Sequence, residues 1–370
     1  MFESELKTAC ENAWQYLGNT VRNESDFKHE LYHQLAQLTV DNVKLNDMVP
    51  GTSSCRLHAE TKIESGENSA KADRRRNSAK ADLSICDPTQ HMKFNYQVLH
   101  VLELKLQLNS PGVKTEMTKL GNYANPNRDF YLISALPCKA ELAELASEMS
   151  PDGANVHVYA PRSSMYQAPD HDETVPPVDW DQVHRIVQTN LDEVLELYGR
   201  GRTQYHGFYW CNYEQEQSKG QTYPCESDFT CQLYHRLRND LPENARIQTE
   251  YTVGTKMRID LIITDGTTAL PIEVKMNWDQ FEHKRDGVEM REKEASTINS
   301  RFSLLQRKFE SVVHRKVVII QYDLRQRPKR SKRRDRREEA LSVFSSSPNP
   351  VELVAYSECD ERVVRSTLGG

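Results

Sequence analysis

The chain of 370 residues carries one helical phrase twice. "ESDFKHELYHQL", Glu24 to Leu35, returns as "ESDFTCQLYHRL", Glu226 to Leu237, with eight of twelve positions identical at an offset of 202 residues. A repeat at that spacing means one folding unit built twice, and every further reading has to satisfy both copies. Phe27, Leu31 and Leu35, like Phe229, Leu233 and Leu237, recur every four residues and predict one buried helix face in each copy. Glu24 and Glu226 stand three residues before the Phe, at the N-terminal end of that face.

The segments after each helix also run in parallel. "CRLHAETKI" with Glu60, "SAKADLSIC" with Asp82 and "YQVLHVLELKLQL" with Glu103 and Lys105 follow the first. "ARIQTEYTV" with Glu250, "KMRIDLIIT" with Asp260 and "TALPIEVKMNW" with Glu273 and Lys275 follow the second. Short β-branched and aliphatic runs of this kind predict strands. The Asp-Gly of "ITDGTTAL" predicts a hairpin between the last two. A helix and a strand come next in each copy: "VKTEMTKLGNY" then "DFYLISAL", and "ASTINSRFSLLQRKFESVV" then "KVVIIQYDL". The expected fold class is therefore α/β with two tandem domains, residues 1–200 and 201–370, each a central mixed sheet flanked by helices. A further helix is expected over residues 179–198, just before the boundary.

Composition narrows the class of molecule. No apolar run approaches the roughly 20 residues of a membrane span, and "MFESELKTAC" lacks the order of a signal peptide. The expectation is an intracellular protein without a membrane partner. Eight cysteines without a CxxC pair predict reduced, buried thiols rather than a disulfide framework. The net charge of −6 excludes a generic polycation. Positive charge is nevertheless clustered, in Arg74, Arg75 and Arg76 and in the run from Arg325 to Arg337, which has nine Lys or Arg in thirteen residues. That run includes Lys329, Arg330, Lys332, Arg333 and Arg334. Such runs are ordinarily solvated loops; beside a nucleic-acid site they would contact the phosphate backbone, and in a eukaryote the second would serve nuclear import. No Walker-type loop, GxGxxG or GxSxG is present, so ATP-driven, hydride-transfer and serine-nucleophile chemistry have no sequence support.

Chemistry is carried by an Asp on one strand and a Glu-x-Lys on the next. Residues two apart on a strand point to the same side, so Glu103 shares a face with Lys105, and Glu273 with Lys275. Cross-strand ion pairs on an exposed strand are the ordinary explanation of such alternation. Here the neighbours in "VLHVLELKLQL" and "ALPIEVKM" are apolar, and a charged pair in a buried strand needs a partner or a metal. Paired carboxylates with open positions suit Mg²⁺ or Mn²⁺.

The pattern resembles the PD-(D/E)XK nuclease superfamily, the restriction-endonuclease-like fold, present twice and covering the core of both halves. The resemblance implies a divalent-metal-dependent nuclease acting on nucleic acid, DNA foremost, with endonuclease activity favoured. It places metal ligands at Asp82, Glu103, Asp260 and Glu273, catalytic lysines at Lys105 and Lys275, and helix carboxylates at Glu24 and Glu226. Glu30 is a weaker match, because Gln232 stands at its place in the second copy. The family's proline before the Asp is replaced by Ala81 and Ile259. Two sites in one chain would let a monomer do what a homodimer does elsewhere. The alternative is a nucleic-acid-binding or interaction protein in which one or both folds are inactive; RNA and branched substrates also stay open.

Several residues keep two readings. Glu24 and Glu226 could be helix-start acids favoured by the dipole. Glu60 and Glu250 could support the metal ligands or be edge-strand acids. His33 and His235, with Tyr32 and Tyr234, are read as packing residues. In "NSAKADRRRNSAKADLSI", Asp82 aligns with Asp260 of "RIDLII", whereas Asp73 is an echo followed by three arginines.

Overall fold

The computed structural model describes residues 2–47, 49–52, 55–62, 80–91, 96–121, 128–150, 155–162, 177–203, 226–277, 290–322, 342–345, 347, 349–357 and 362–369. The two basic clusters and Asp73 lie outside these residues. The chain forms two compact units, Met1–Asp172 with Phe208–Cys231, and Glu173–Gly207 with Gln232–Gly370. No described helix is long and apolar enough to cross a membrane.

The first unit opens with α1 (Phe2–Leu17) and α2 (Glu24–Ala36), then a two-residue hairpin of β1 (Thr39–Val40) and β2 (Val43–Lys44). Its main sheet is β3 (Leu57–Lys62), β4 (Lys80–His91), β5 (Tyr96–Lys105), β6 (Asp129–Ser134) and β7 (Asn155–Tyr159), in that spatial order. Helix α3 (Ser110–Gly121) links β5 to β6 and α4 (Glu141–Glu148) links β6 to β7. The first three strands are antiparallel and the last two are added in parallel. This mixed order follows from the connections: hairpins give antiparallel neighbours, and a helical crossover returns the chain in parallel.

The second unit repeats the plan. Helices α5 (Trp180–Thr203) and α6 (Glu226–Asp240) precede β8 (Arg246–Thr252), β9 (Arg258–Thr264) and β10 (Thr268–Asn277). After these come α7 (Met290–Leu305), β11 (Ser311–Val312), β12 (Arg315–Tyr322), β13 (Val351–Ser357) and β14 (Arg362–Leu368). Strands β8, β9 and β10 are antiparallel, and β12 and β13 continue the sheet in parallel. Strand β14 adds one antiparallel edge strand without a counterpart among the described residues of the first sheet. The Asp-Gly turn forms as expected: Gly266 has φ +100°, and Asp265 Oδ1 accepts the backbone N–H of Thr267 at 2.8 Å and of Thr268 at 2.7 Å.

The repeated helices form for the same reason. Phe27, Leu31, Leu35, Phe229, Leu233 and Leu237 are all fully buried. Helix α2 is capped by Asn23, whose side chain accepts the Asp26 backbone N–H at 2.8 Å, while Asp26 Oδ2 accepts that of Arg22. Trp14 stacks on Phe27 and donates its indole N–H to the Ser134 carbonyl at 3.0 Å, which ties α1 and α2 to the sheet. Tyr32, Tyr234 and His33 are buried, in keeping with a packing role. Cys10, Cys55, Cys86 and Cys231 are buried thiols outside any disulfide, and Cys138 is a half-buried one.

Three details differ from the sequence expectation. Helix α5, which precedes the repeat in the chain, packs on β12, β13 and β14 of the second unit. The residues of α6 up to Cys231 group with the first unit, where Asp228 is fully buried and accepts the Ala59 backbone N–H at 2.8 Å. The helix expected over "ASTINSRFSLLQRKFESVV" begins earlier, at Met290, and stops at Leu305; Ser311 and Val312 pair instead with Thr268 and Ala269 of β10. Glu310 donates its backbone N–H to the Thr267 carbonyl at 2.8 Å, so the sheet edge captures the segment.

Candidate active site

Register places the same residues together in both units. Leu83 pairs with Leu102, so the preceding Asp82 comes opposite Glu103. Leu261 pairs with Ile272, so Asp260 comes opposite Glu273. Directly opposed residues of an antiparallel pair project from one face, and the lysine two positions on joins them. Asp82 Oδ2 accepts the backbone N–H of Leu104 at 2.7 Å, and Asp260 Oδ2 accepts that of Val274 at 2.6 Å. Each aspartate is thus fixed by the main chain of the residue between the Glu and the Lys.

The two glutamates are buried among apolar strands and cannot ionise without help. Burial, reinforced by Asp82, pushes Glu103 up to about 8, against the opposing pull of Lys119. Burial and Asp260 push Glu273 up to about 8, against Lys275 and Arg301. Burial also raises Asp260 above the usual carboxylate range. For Lys105, burial disfavours the ammonium, but Asp82, Glu116, Glu24 and Glu103 together outweigh it and hold the group above its ordinary value.

Ion pairs complete each centre. Lys105 Nζ lies 3.2 Å from Glu116 Oε1, and Lys119 Nζ lies 2.8 Å from Glu103 Oε1. In the second unit Lys275 Nζ lies 3.0 Å from Glu273 Oε1, 3.6 Å from Glu294 Oε1 and 4.0 Å from Asp260 Oδ2. Arg301 also bonds Glu273 Oε1. Glu24 belongs to the first centre: its carboxylate accepts the Leu106 backbone N–H, and burial and then Asp82 raise it, with Lys105 opposing. Glu226 is the first residue of α6, as Glu24 is of α2.

Glu60 and Glu250 are also matched in structure. Ala59 and Thr61 pair with Leu83 and Ala81, and Thr249 and Tyr251 pair with Leu261 and Ile259, which sets the two glutamates opposite Asp82 and Asp260. Both are left-handed, with φ 52° and 44°, a conformation rare for a residue with a side chain. Glu60 pairs with Lys28 at 3.4 Å and Glu250 with Arg258.

Glu116, Lys119, Glu294 and Arg301 were not singled out from sequence. The signal was present: Glu294 and Arg301 share a helix stripe with the buried Ile298 and Leu305, and Glu116 sits between the buried Val113 and Leu120. A charged residue on an apolar stripe is a candidate partner for a buried charge.

Among the described residues, no group of three or more His, Cys, Asp or Glu side chains converges as a metal-holding cluster. Each centre offers two facing carboxylates, which is a sufficient protein contribution for Mg²⁺, an ion that keeps several waters and is held through one or two carboxylates and substrate phosphates. Glu273 Oε2 is buried without a hydrogen-bond partner, which fits an all-oxygen site with an open position. Asp82 with Glu103, and Asp260 with Glu273, are the pairs that could hold it. A scan against protein-family models and searches of curated proteins and solved structures return no match to this chain.

Proposed function

We propose that the chain is a nuclease of two tandem restriction-endonuclease-like domains that hydrolyses phosphodiester bonds, with DNA as the substrate class. The observation that carries this reading is the construction of one Asp and Glu-x-Lys centre twice, in the same register and with the same Asp-to-main-chain bond. A divalent cation bound at the carboxylates would supply a lowered pKa for the attacking water and charge neutralisation at the phosphate.

The chain's own groups have separate tasks. Asp82 and Asp260 are held by backbone donors, which keeps their carboxylates aimed at the facing Glu. Lys105 and Lys275, on the same strand face, bring a positive charge to the phosphate oxygens as charge builds up on them. Glu24 adds a carboxylate to the first centre beside Lys105, where it can orient the attacking water through a hydrogen bond.

The contrasting reading, a binding protein in which one or both folds are inactive, is favoured at one point only. A helix cation occupies the buried glutamate of each centre, Lys119 on Glu103 and Arg301 on Glu273, as an internal cation would in a retired site. The deciding experiment is cleavage of linear, supercoiled, branched and single-stranded DNA, and of RNA, with Mg²⁺ or Mn²⁺. The Asp82→Ala, Asp260→Ala double variant serves as control. Metal-dependent cleavage lost in the double variant supports the nuclease reading; no cleavage of any substrate overturns it.

A further inference from the structure

In both units the helix after the Glu-x-Lys strand turns an acid and a cation towards the centre. Glu116 meets Lys105 and Lys119 meets Glu103; Glu294 meets Lys275 and Arg301 meets Glu273. The spacing is not inherited, since Glu116 and Lys119 are three residues apart whereas Glu294 and Arg301 are seven apart. The two copies therefore reach one charge arrangement with different residues on different helical turns.

The arrangement has a physical cause. Glu103 and Glu273 are the most buried carboxylates of their centres, with side chains 3% and 0% exposed. A buried carboxylate stays charged only beside a cation, and each helix brings one to the carboxylate that would hold the metal. We infer that Lys119 and Arg301 are resident counter-ions that a divalent cation has to displace, and that they set how readily each centre takes up metal. This rests on the metal sites of the nuclease reading.

The two counter-ions are unequal. Lys119 is a point charge on a flexible stem and also lies 3.4 Å from Glu116 Oε2, so a carboxylate is at hand when it leaves Glu103. Arg301 presents a planar guanidinium, and among the described residues its one carboxylate ion pair is with Glu273. Glu273 Oε1 is held by two cations, Arg301 and Lys275 at 3.0 Å, whereas among the described residues Glu103 Oε1 has one ion pair, with Lys119; an oxygen shared by two cations is cleared less readily. The second centre therefore fills at a higher metal concentration than the first.

The test is calorimetric titration of Mn²⁺ into the full chain without nucleic acid. Two classes of site are expected, with Asp260→Asn removing the weaker. Arg301→Met should tighten the weaker class about tenfold and leave the tighter one unchanged, Lys119→Met should tighten the other class by less, and Arg301→Lys should fall between. Melting curves establish that each variant is folded; if Arg301→Met is not, Arg301→Lys decides. Unchanged or weakened affinity in the folded Arg301 variant overturns the counter-ion role alone. A wild-type chain that takes up no Mn²⁺ overturns the metal sites and the nuclease reading with them. Metal uptake that follows the expected order without cleavage of any substrate removes the nuclease reading and leaves the counter-ions standing.

Discussion

Asp82 holds Leu104 by its main chain: the carboxylate accepts the backbone N–H at 2.7 Å, and Asp260 holds Val274 in the same way at 2.6 Å. Because the donor is a peptide group, the side chain between Glu and Lys is free to differ, and the two copies do differ there. The aspartate is consequently sensitive to any change that alters its acceptor oxygens.

The first prediction concerns the two centres separately. Lys105→Ala and Lys275→Ala should each slow their own centre by about 10²–10³, the usual cost of one preorganised electrostatic group. On supercoiled plasmid either single variant should nick without linearising, and the pair together should do neither. Full linear product from both singles would show that the centres do not each cut one strand.

Glu24→Gln keeps the hydrogen-bonding shape and removes the charge beside Lys105. Cleavage by the first centre, read in a Lys275→Ala background, should fall about tenfold or more, and cleavage by the second, read in a Lys105→Ala background, should be unaffected. Unchanged kcat would reduce Glu24 to a helix-start acid.

The left-handed glutamates give a stability prediction. A left-handed residue with a side chain costs roughly 1–2 kcal/mol, and glycine escapes most of that. Glu250→Gly should therefore be about 1 kcal/mol more stable than Glu250→Ala in urea unfolding, with Glu60→Gly and Glu60→Ala in the same order. Equal stabilities would mean the strand relaxes without the strain.

His29 makes the first unit acid-sensitive. Burial, with Lys28 adding to it, lowers its pKa from 6.5 to about 3, so protons bind the unfolded chain first. The stability it contributes is complete above about pH 6.5 and is lost as pH falls towards 3, at about 1.4 kcal/mol per pH unit. His29→Leu should flatten that part of the stability profile; an unaltered slope would assign acid sensitivity to other groups.

How far the sequence could be read depended on what kind of signal each residue gives. Helix α2 and its repeat were legible because Phe27, Leu31 and Leu35 report a buried face by spacing alone. The Asp and Glu-x-Lys strands were legible because Asp82 and Glu103 interrupt apolar runs. Arg301 is marked in the sequence only by its place on the apolar stripe of Ile298 and Leu305, and Lys119 has no such mark, because a charged side chain on a helix reads as solvent-facing until its neighbours are placed. The packing of α5 on β12 to β14 was hidden for a related reason: an amphipathic stripe announces that it will be covered but not by which sheet. The left-handed backbone at Glu60 and Glu250 had no signal, since no glycine or asparagine marks the position.

That shared kink has an evolutionary reading. Two strands that differ at most positions adopt the same unfavourable backbone conformation at the matched residue, as two copies of one unit would. Glycine lies one base change from either glutamate codon and would have relieved the strain in each copy independently. Neither copy has glycine there, and in each the side chain that glycine would remove is paired with a cation, Lys28 on Glu60 and Arg258 on Glu250.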